Sequence, residues 1–407
     1  MNRNFFFMLF AFLVILITIM IAVFGFEKIL NLIWNTPTMN PVFADIRSIT
    51  GVNETLSQGL DPLISNPGDP WGRTMNYPRI WQYLAEIFNF TQNTSIYFGF
   101  VNLALYIFGF LLFSSRLNLS NAMVFVLLMA FLSPASVLAM ERGNIDIVIF
   151  FLISLSLFYV SSLVFFSGTI LLASFLKIFP IVAIVGLLNQ SKKSFITALL
   201  ISFSIFIIYV FFNMRDIILI KKNTPQDQAI GLSYGMNVIW MATKILFGSN
   251  MGMFLKIFTY LYIFLSFVFF CMYLQKKQAI FSIIDTTYID SFRVGSTIYV
   301  ATFLLNNNFD YRLIFLIFTI PQLILWIKSD MKILKLTALL SIISIIYTMW
   351  FMNLVQISPY SPYIVWGVDE LLNLALFSAF TFLLIISLPS WLLEFVRIKK
   401  HNDKQTI

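Results

Sequence analysis

FFFMLFAFLVILITIMIAVFGF, from Phe5 to Phe26, carries no charged residue. A helix needs about 20 apolar residues to cross the hydrocarbon of a bilayer, and this run supplies them. It is too long for the core of a signal peptide and no small-residue cleavage site follows, so it reads as a first spanning helix. Arg3, just before it, is expected to hold the N-terminus in the cytoplasm.

The same pattern recurs along the chain. Apolar runs fall at 95–113, 121–140, 145–166, 195–213, 252–274, 293–305, 312–327, 333–355 and 370–393. The segment 168–189 is apolar but interrupted by Lys177 and Pro180, and reads as two half-spans that enter and return. The expected fold is an all-α polytopic membrane protein of roughly 10–12 transmembrane helices, one integral membrane domain over 1–407. Composition agrees. Of the 407 residues 59% are hydrophobic and only 11% charged, too few to cover a water-facing surface. The 47 phenylalanines fit lipid as solvent, and fit an AT-rich genome equally well.

Charge sets the expected orientation. The net charge of +8 is carried largely by short loops: Arg116; Lys192 and Lys193; Lys276 and Lys277; Lys328, Lys332 and Lys335. The tail 394–407 adds Arg397, Lys399, Lys400 and Lys404. These basic loops place both termini in the cytoplasm of a bacterial cell by the positive-inside rule. No basic patch with interleaved aromatics suggests nucleic acid.

Two stretches break the apolar pattern and are expected outside the membrane. Residues 27–94 are rich in proline and acid, with a short amphipathic helix at 79–90 whose Trp81, Tyr83 and Phe88 suit the interface. Residues 214–251 form the second outer loop.

Polar groups at the outer helix ends are the informative ones, because charge near hydrocarbon is costly without a partner or a task. One cluster lies in the first loop, with Asp45 and Arg47 early and Arg73, Tyr77, Arg79 and Trp81 later. Its cations and flat rings suit a sugar or a phosphate; the alternative is an ordered loop with solvated charges. Glu141-Arg142-Gly143-Asn144-Ile145-Asp146 makes a tight turn in which the charges either serve a ligand or pair with each other. Lys177 at its helix break either binds phosphate or snorkels. Asp310, Tyr311 and Arg312 close a fourth turn. All four clusters are expected on one side.

Several chemistries are absent. There is one histidine, His401, in the tail, and one cysteine, Cys271, so a histidine base, a histidine-ligated metal and an internal disulfide have no residues to build them. There is no phosphate-binding Gly-rich loop and no Gly-x-Ser-x-Gly elbow. No cofactor and no metal are expected, and acid–base work falls to Asp, Glu, Lys or Tyr.

The ordered set of Asp45, Arg142-Gly143-Asn144-Ile145-Asp146, Lys177-Ile178-Phe179-Pro180 and Asp310-Tyr311-Arg312 resembles the GT-C glycosyltransferases over residues 1–330. It is most similar to glycosyltransferase family 87, which includes mannosyl- and arabinofuranosyltransferases. The resemblance implies a GT-C-like bundle, a polyprenyl-phosphate-linked sugar donor and a lipid or glycan acceptor at the outer face of the inner membrane. It also implies inversion at the anomeric carbon, with Asp45 as general base. Arg47, Arg142, Lys177 and Arg312, then Lys221 and Lys222, become the cations for the departing lipid phosphate, and Arg73, Tyr77, Arg79, Glu141, Asn144, Asp146, Asp310 and Tyr311 the other binding candidates. The chain departs from family members that place a histidine near the site. A lipid-linked oligosaccharide flippase and an O-antigen-polymerase-like protein are the alternatives; a transporter would string its cations along a central path.

Overall fold

The computed structural model describes residues 3–224, 231–276, 285–305 and 308–392. The tail 394–407 and the pair Asn306 and Asn307 lie outside the described residues, as do the side chains of Arg3 and Cys271.

The chain is an all-α polytopic membrane protein. In order, the helices are α1 Arg3–Phe24, α2 Phe26–Trp34, α3 Ala44–Thr50, α4 Val52–Ser57, α5 Ile80–Ile87, α6 Ser95–Ser114, α7 Asn121–Phe131, α8 Pro134–Arg142, α9 Asp146–Phe158 and α10 Leu163–Leu176. They continue with α11 Lys192–Phe212, α12 Met214–Asn223, α13 Val238–Phe247, α14 Ser249–Lys276, α15 Ile289–Leu304, α16 Ile320–Ile327, α17 Lys332–Met349, α18 Phe351–Ile357 and α19 Pro362–Ile386. Longer 3-10 stretches fill Phe179–Asn189 and Asp310–Thr319. A two-residue antiparallel pair, β1 (Ser233–Tyr234) against β2 (Asn308–Phe309), is the sheet among the described residues.

Among the described residues seven helices are long and apolar enough to cross a bilayer, or eight with α7 and α8 taken as one span. The expected count of ten to twelve is approached only by adding the shorter apolar helices at 146–158, 163–176, 179–189 and 238–247. The run at 121–140 is bent by 42° at Ser133 and Pro134. There the Ser133 and Ser136 hydroxyls donate to Ala130 O, and Trp34 Nε1 donates to Leu132 O, so the carbonyls freed by the break are satisfied. The run at 145–166 stops at Phe158, turns, and restarts at Leu163 under a Ser162 cap.

Between Lys177 and Pro180 the chain reverses. Lys177 is extended, the stretch Phe179–Asn189 follows, and Gln190 Nε2 donates to Val160 O at 3.3 Å, beside the start of α10. A helix that continued straight would leave those residues a full span apart, so this is a hairpin with Lys177 at its tip.

The hairpin fixes two ends of the bundle. At one end lie α3, the Arg142–Asp146 turn, Lys177 and β2. The opposite end gathers Arg116, which donates to the Leu157 and Phe158 carbonyls, Asn189 and Arg293, with 2.8 Å between Asn189 Oδ1 and Arg293 Nη1. Between them the core is aromatic: Phe110 on Phe131 at 4.4 Å and Phe150 on Phe318 at 4.7 Å between ring centroids.

Residues 27–94 hold α2 to α5 and pack onto the first end. The expected helix at 79–90 is α5, with Tyr83 and Phe88 exposed as an interfacial helix requires. Trp81 differs. It is buried and its Nε1 donates to Leu176 O at 3.0 Å, so it props the hairpin tip instead of facing lipid.

Candidate functional site

The site begins with a backbone constraint. Phe43 has φ 61°, its N–H donates to Glu141 O at 3.1 Å, and its ring sits where Gly99 has no side chain. A Cβ at Gly99 would lie 2.2 Å from that ring. This seat starts α3 with Asp45 in its first turn, directed at the Arg142–Asp146 turn. There Gly143 takes φ 59°, a left-handed conformation that ends α8 and lets Asn144 face back toward Asp45. A Cβ on Gly143 would also meet Ile46 Cδ1 at 2.6 Å.

Asn144 links the Asp45 carboxylate to the Asp146 backbone. Its Nδ2 donates to Asp45 Oδ2 at 2.6 Å, while its Oδ1 accepts the Asp146 N–H at 2.9 Å and Lys177 Nζ at 3.4 Å. Asp146 is fully buried between two cations, with Lys177 Nζ at 2.9 Å and Arg312 Nε at 3.3 Å. Lys177 lies over the rings of Tyr77 and Tyr311, and Arg312 over Phe179. Arg312 also donates to Asn308 Oδ1 of β2.

The loop supplies the other wall. Asp69 Oδ2 accepts the N–H groups of Trp71 and Arg73 and the Nε of Arg73, and Asp69 Oδ1 accepts Arg73 Nη2 at 2.8 Å. So Asp69 both forms a turn and clamps Arg73, whose guanidinium lies over Trp71 and donates to Ala44 O. Burial alone would lower the Arg73 pKa, but its bonds to Asp69 and the charge of Asp45 outweigh it and hold it above the ordinary value. Tyr77 is pushed well up by burial, then by Asp45, so its hydroxyl stays protonated and able to donate.

These walls enclose a cavity of about 550 Å3 lined by Asp45, Arg73, Tyr77, Arg142 and Tyr311, with Thr74, Asn76 and Asn223 as further polar groups. The volume suits a sugar-sized ligand. Its charges differ in how well they are matched. Glu141 Oε2 holds Arg142 Nη1 at 2.8 Å, and Asp69 holds Arg73. Asp45 reaches Arg73 Nη1 only at 3.7 Å, so its nearest cation is already committed to another acid. Asp45 is the one carboxylate among the described residues that line the cavity, and it is held there by Asn144 Nδ2 and the more distant Arg73.

Other candidates lie apart. Arg47 is buried, with Nε on Val42 O at 2.8 Å and Nη1 on Gln92 Oε1 at 3.2 Å, and burial lowers its pKa. Arg79 grips Asp61 at 2.7 Å and Asp216 at 2.8 Å and ties the first loop to α12. Those bonds, to Asp61 first, raise its pKa. Glu141 does not line the cavity; its Oε1 accepts the N–H of Met39, which does, at 2.7 Å. Asp310 is buried within reach of the charges of Asp369 and Glu370 on α19. Lys177, Asp146 and Arg312 lie behind the cavity wall formed by Tyr77 and Tyr311. Asn223 and Leu232 line the cavity from the second loop, and no motif in their sequence announced it. Among the described residues no three His, Cys, Asp or Glu side chains are grouped to hold a metal ion.

No family model, characterised protein or solved structure matches the chain.

Proposed function

We propose that the chain is an inverting glycosyltransferase of the bacterial inner membrane, moving a sugar from a polyprenyl-phosphate donor to a lipid- or glycan-linked acceptor. The observation that carries this reading is the under-compensated Asp45 facing a sugar-sized cavity beside Arg73 and Arg142, at one end of a membrane bundle. Asp45 takes the proton of an acceptor hydroxyl as that oxygen attacks the anomeric carbon. The bond from that carbon to the phosphate oxygen breaks, and the electron pair leaves with the lipid phosphate. Arg73 and Arg142, which line the cavity, stabilise the growing negative charge. Lys177 and Arg312 take a different role: both are bound to Asp146 and hold the Asn144 turn in place.

Orientation follows from charge. Arg116, Lys192, Lys193, Lys328, Lys332 and Lys335 belong to the turns at the end opposite the cavity. The positive-inside rule puts that end in the cytoplasm and the cavity at the outer face, where lipid-linked sugars are used. A transporter would need cations along a path through the bundle, and the cavity's cations lie at one end.

The test is incubation of purified protein with a panel of radiolabelled polyprenyl-phosphate sugars and lipid acceptors. At least one pair yields a labelled, anomerically inverted product that disappears in Asp45→Asn. Transfer that survives in Asp45→Asn assigns the base elsewhere, and the absence of transfer from every donor rejects the reading.

A further inference from the structure

The outer flank of the cavity carries a feature that transfer does not use. Helix α12 starts two residues after α11 ends at Phe212, and Phe211 and Phe212 are 72% and 80% exposed. Apolar rings this open at the end of a span face hydrocarbon rather than water, so α12 begins at the edge of the lipid.

Helix α12 has two faces of opposite character. At about 100° per residue, Asp216, Ile220 and Asn223 share one side. That side is fastened to the protein: Asp216 takes Arg79 Nε and Nη2 at 2.8 and 3.1 Å, and Asn223 Nδ2 donates to Leu63 O and Met75 O at 2.7 and 3.2 Å. The other side carries Met214, Arg215, Ile218, Lys221 and Lys222, and all five are exposed. It holds three cations and no acid. Asp61 of the first loop reaches Arg215 electrostatically from the side. Met214 and Ile218 are 47% and 61% exposed on this same cationic face, which a face meant only for water would not need.

We propose that the outward face of α12 docks onto anionic lipid head groups. Arg215, Lys221 and Lys222 meet the phosphates, while Met214 and Ile218 enter the level of the first methylenes. Because Asn223 at the end of α12 lines the cavity, a helix seated on the bilayer also braces that wall.

The experiment uses full-length protein with Cys271→Ser and Ile218→Cys, the new thiol carrying an environment-sensitive fluorophore, in nanodiscs. Discs of phosphatidylcholine are compared with discs in which phosphatidylglycerol is titrated in. The expected result is a blue shift and lower quenching by aqueous iodide as phosphatidylglycerol rises, reversed by high salt. Arg215→Gln, Lys221→Gln and Lys222→Gln together abolish the response, each cation being worth about fivefold in apparent lipid affinity. The same triple exchange at Lys328, Lys332 and Lys335, at the opposite end, leaves it intact. A spectrum indifferent to phosphatidylglycerol overturns the proposal, as does an undiminished response in the α12 triple variant or an equal loss from the opposite-end variant. None of these readouts depends on sugar transfer.

Discussion

Asn144 donates to the Asp45 carboxylate and accepts the Asp146 backbone N–H, yet the two acids live in different electrostatic worlds. Asp146 is fully buried, with Lys177 and Arg312 both within 3.3 Å. Asp45 faces the cavity, and its nearest guanidinium, at 3.7 Å, is clamped by Asp69. A carboxylate whose bonding capacity is filled from within the protein holds structure; one left partly unmatched beside open volume is free to accept a proton. Residue type alone does not separate the two. The number and commitment of their neighbours does.

That contrast can be broken by experiment. The largest effect is expected at Asp45: Asp45→Asn lowers transfer by about 10² to 10⁴-fold, the usual cost of losing a general base. Its thermal unfolding stays near that of the parent protein. Asp146→Asn does the reverse. It leaves two buried cations short of a counter-charge, at a cost of about 3–5 kcal/mol, and the loss appears first as a lower unfolding temperature in detergent. If Asp146→Asn folded normally and only transfer fell, the division of labour would be wrong.

Asn144→Leu sharpens the comparison. Removing a hydrogen bond to a charged group is worth about 1.5–3 kcal/mol, so transfer drops by about ten- to a hundredfold. In an Asp45→Asn background the same change does little further to transfer, because its effect passes through Asp45. Additive losses in the double variant would show that Asn144 acts on substrate directly.

The smallest effect concerns Asp61, the outer carboxylate of the Arg79 pair. Its bond to Arg79 holds its pKa below the ordinary value. A depressed carboxylate contributes stability above its unfolded pKa and loses it as pH falls through the lower folded one. Acidification below the normal carboxylate range therefore frees Arg79 from Asp61 and slackens its hold on Asp216 of α12, at about 1 kcal/mol or less for so open a pair. Hydrogen exchange in α12 that rises in acid in the parent protein, but not in Asp61→Asn, is the expected result.

Much of this was legible in the sequence. The apolar runs announced the membrane fold, and Lys177 beside Pro180 announced the reversal, because a charge and a missing N–H cannot both continue a helix in lipid. Asp45, Asn144 and Asp146 stood out as polar groups at span ends. The bend between α7 and α8 did carry a signal, Ser133 before Pro134, a helix start inside an apolar run. The stop at Phe158 carried none, since a stretch that is apolar on every face has no period to interrupt. The clamp of Arg73 by Asp69 lay in a local turn whose outcome depended on folding. Partnerships such as Arg79 with Asp216, 137 residues apart, are set by packing alone.

The hairpin has a mechanical meaning of its own. Its tip, Lys177, belongs to the cavity end, but both its strands are rooted at the other face, where Arg293 holds Asn189 and Gln190 holds Val160. The 14 residues of α10 form a rod of about 21 Å between those anchors and the Asp146 ion pair. One part of the cavity's backing is thus carried on a post that runs the depth of the bundle from its far end. A push on the rear anchors is delivered, through that post, to the floor beneath Tyr77 and Tyr311.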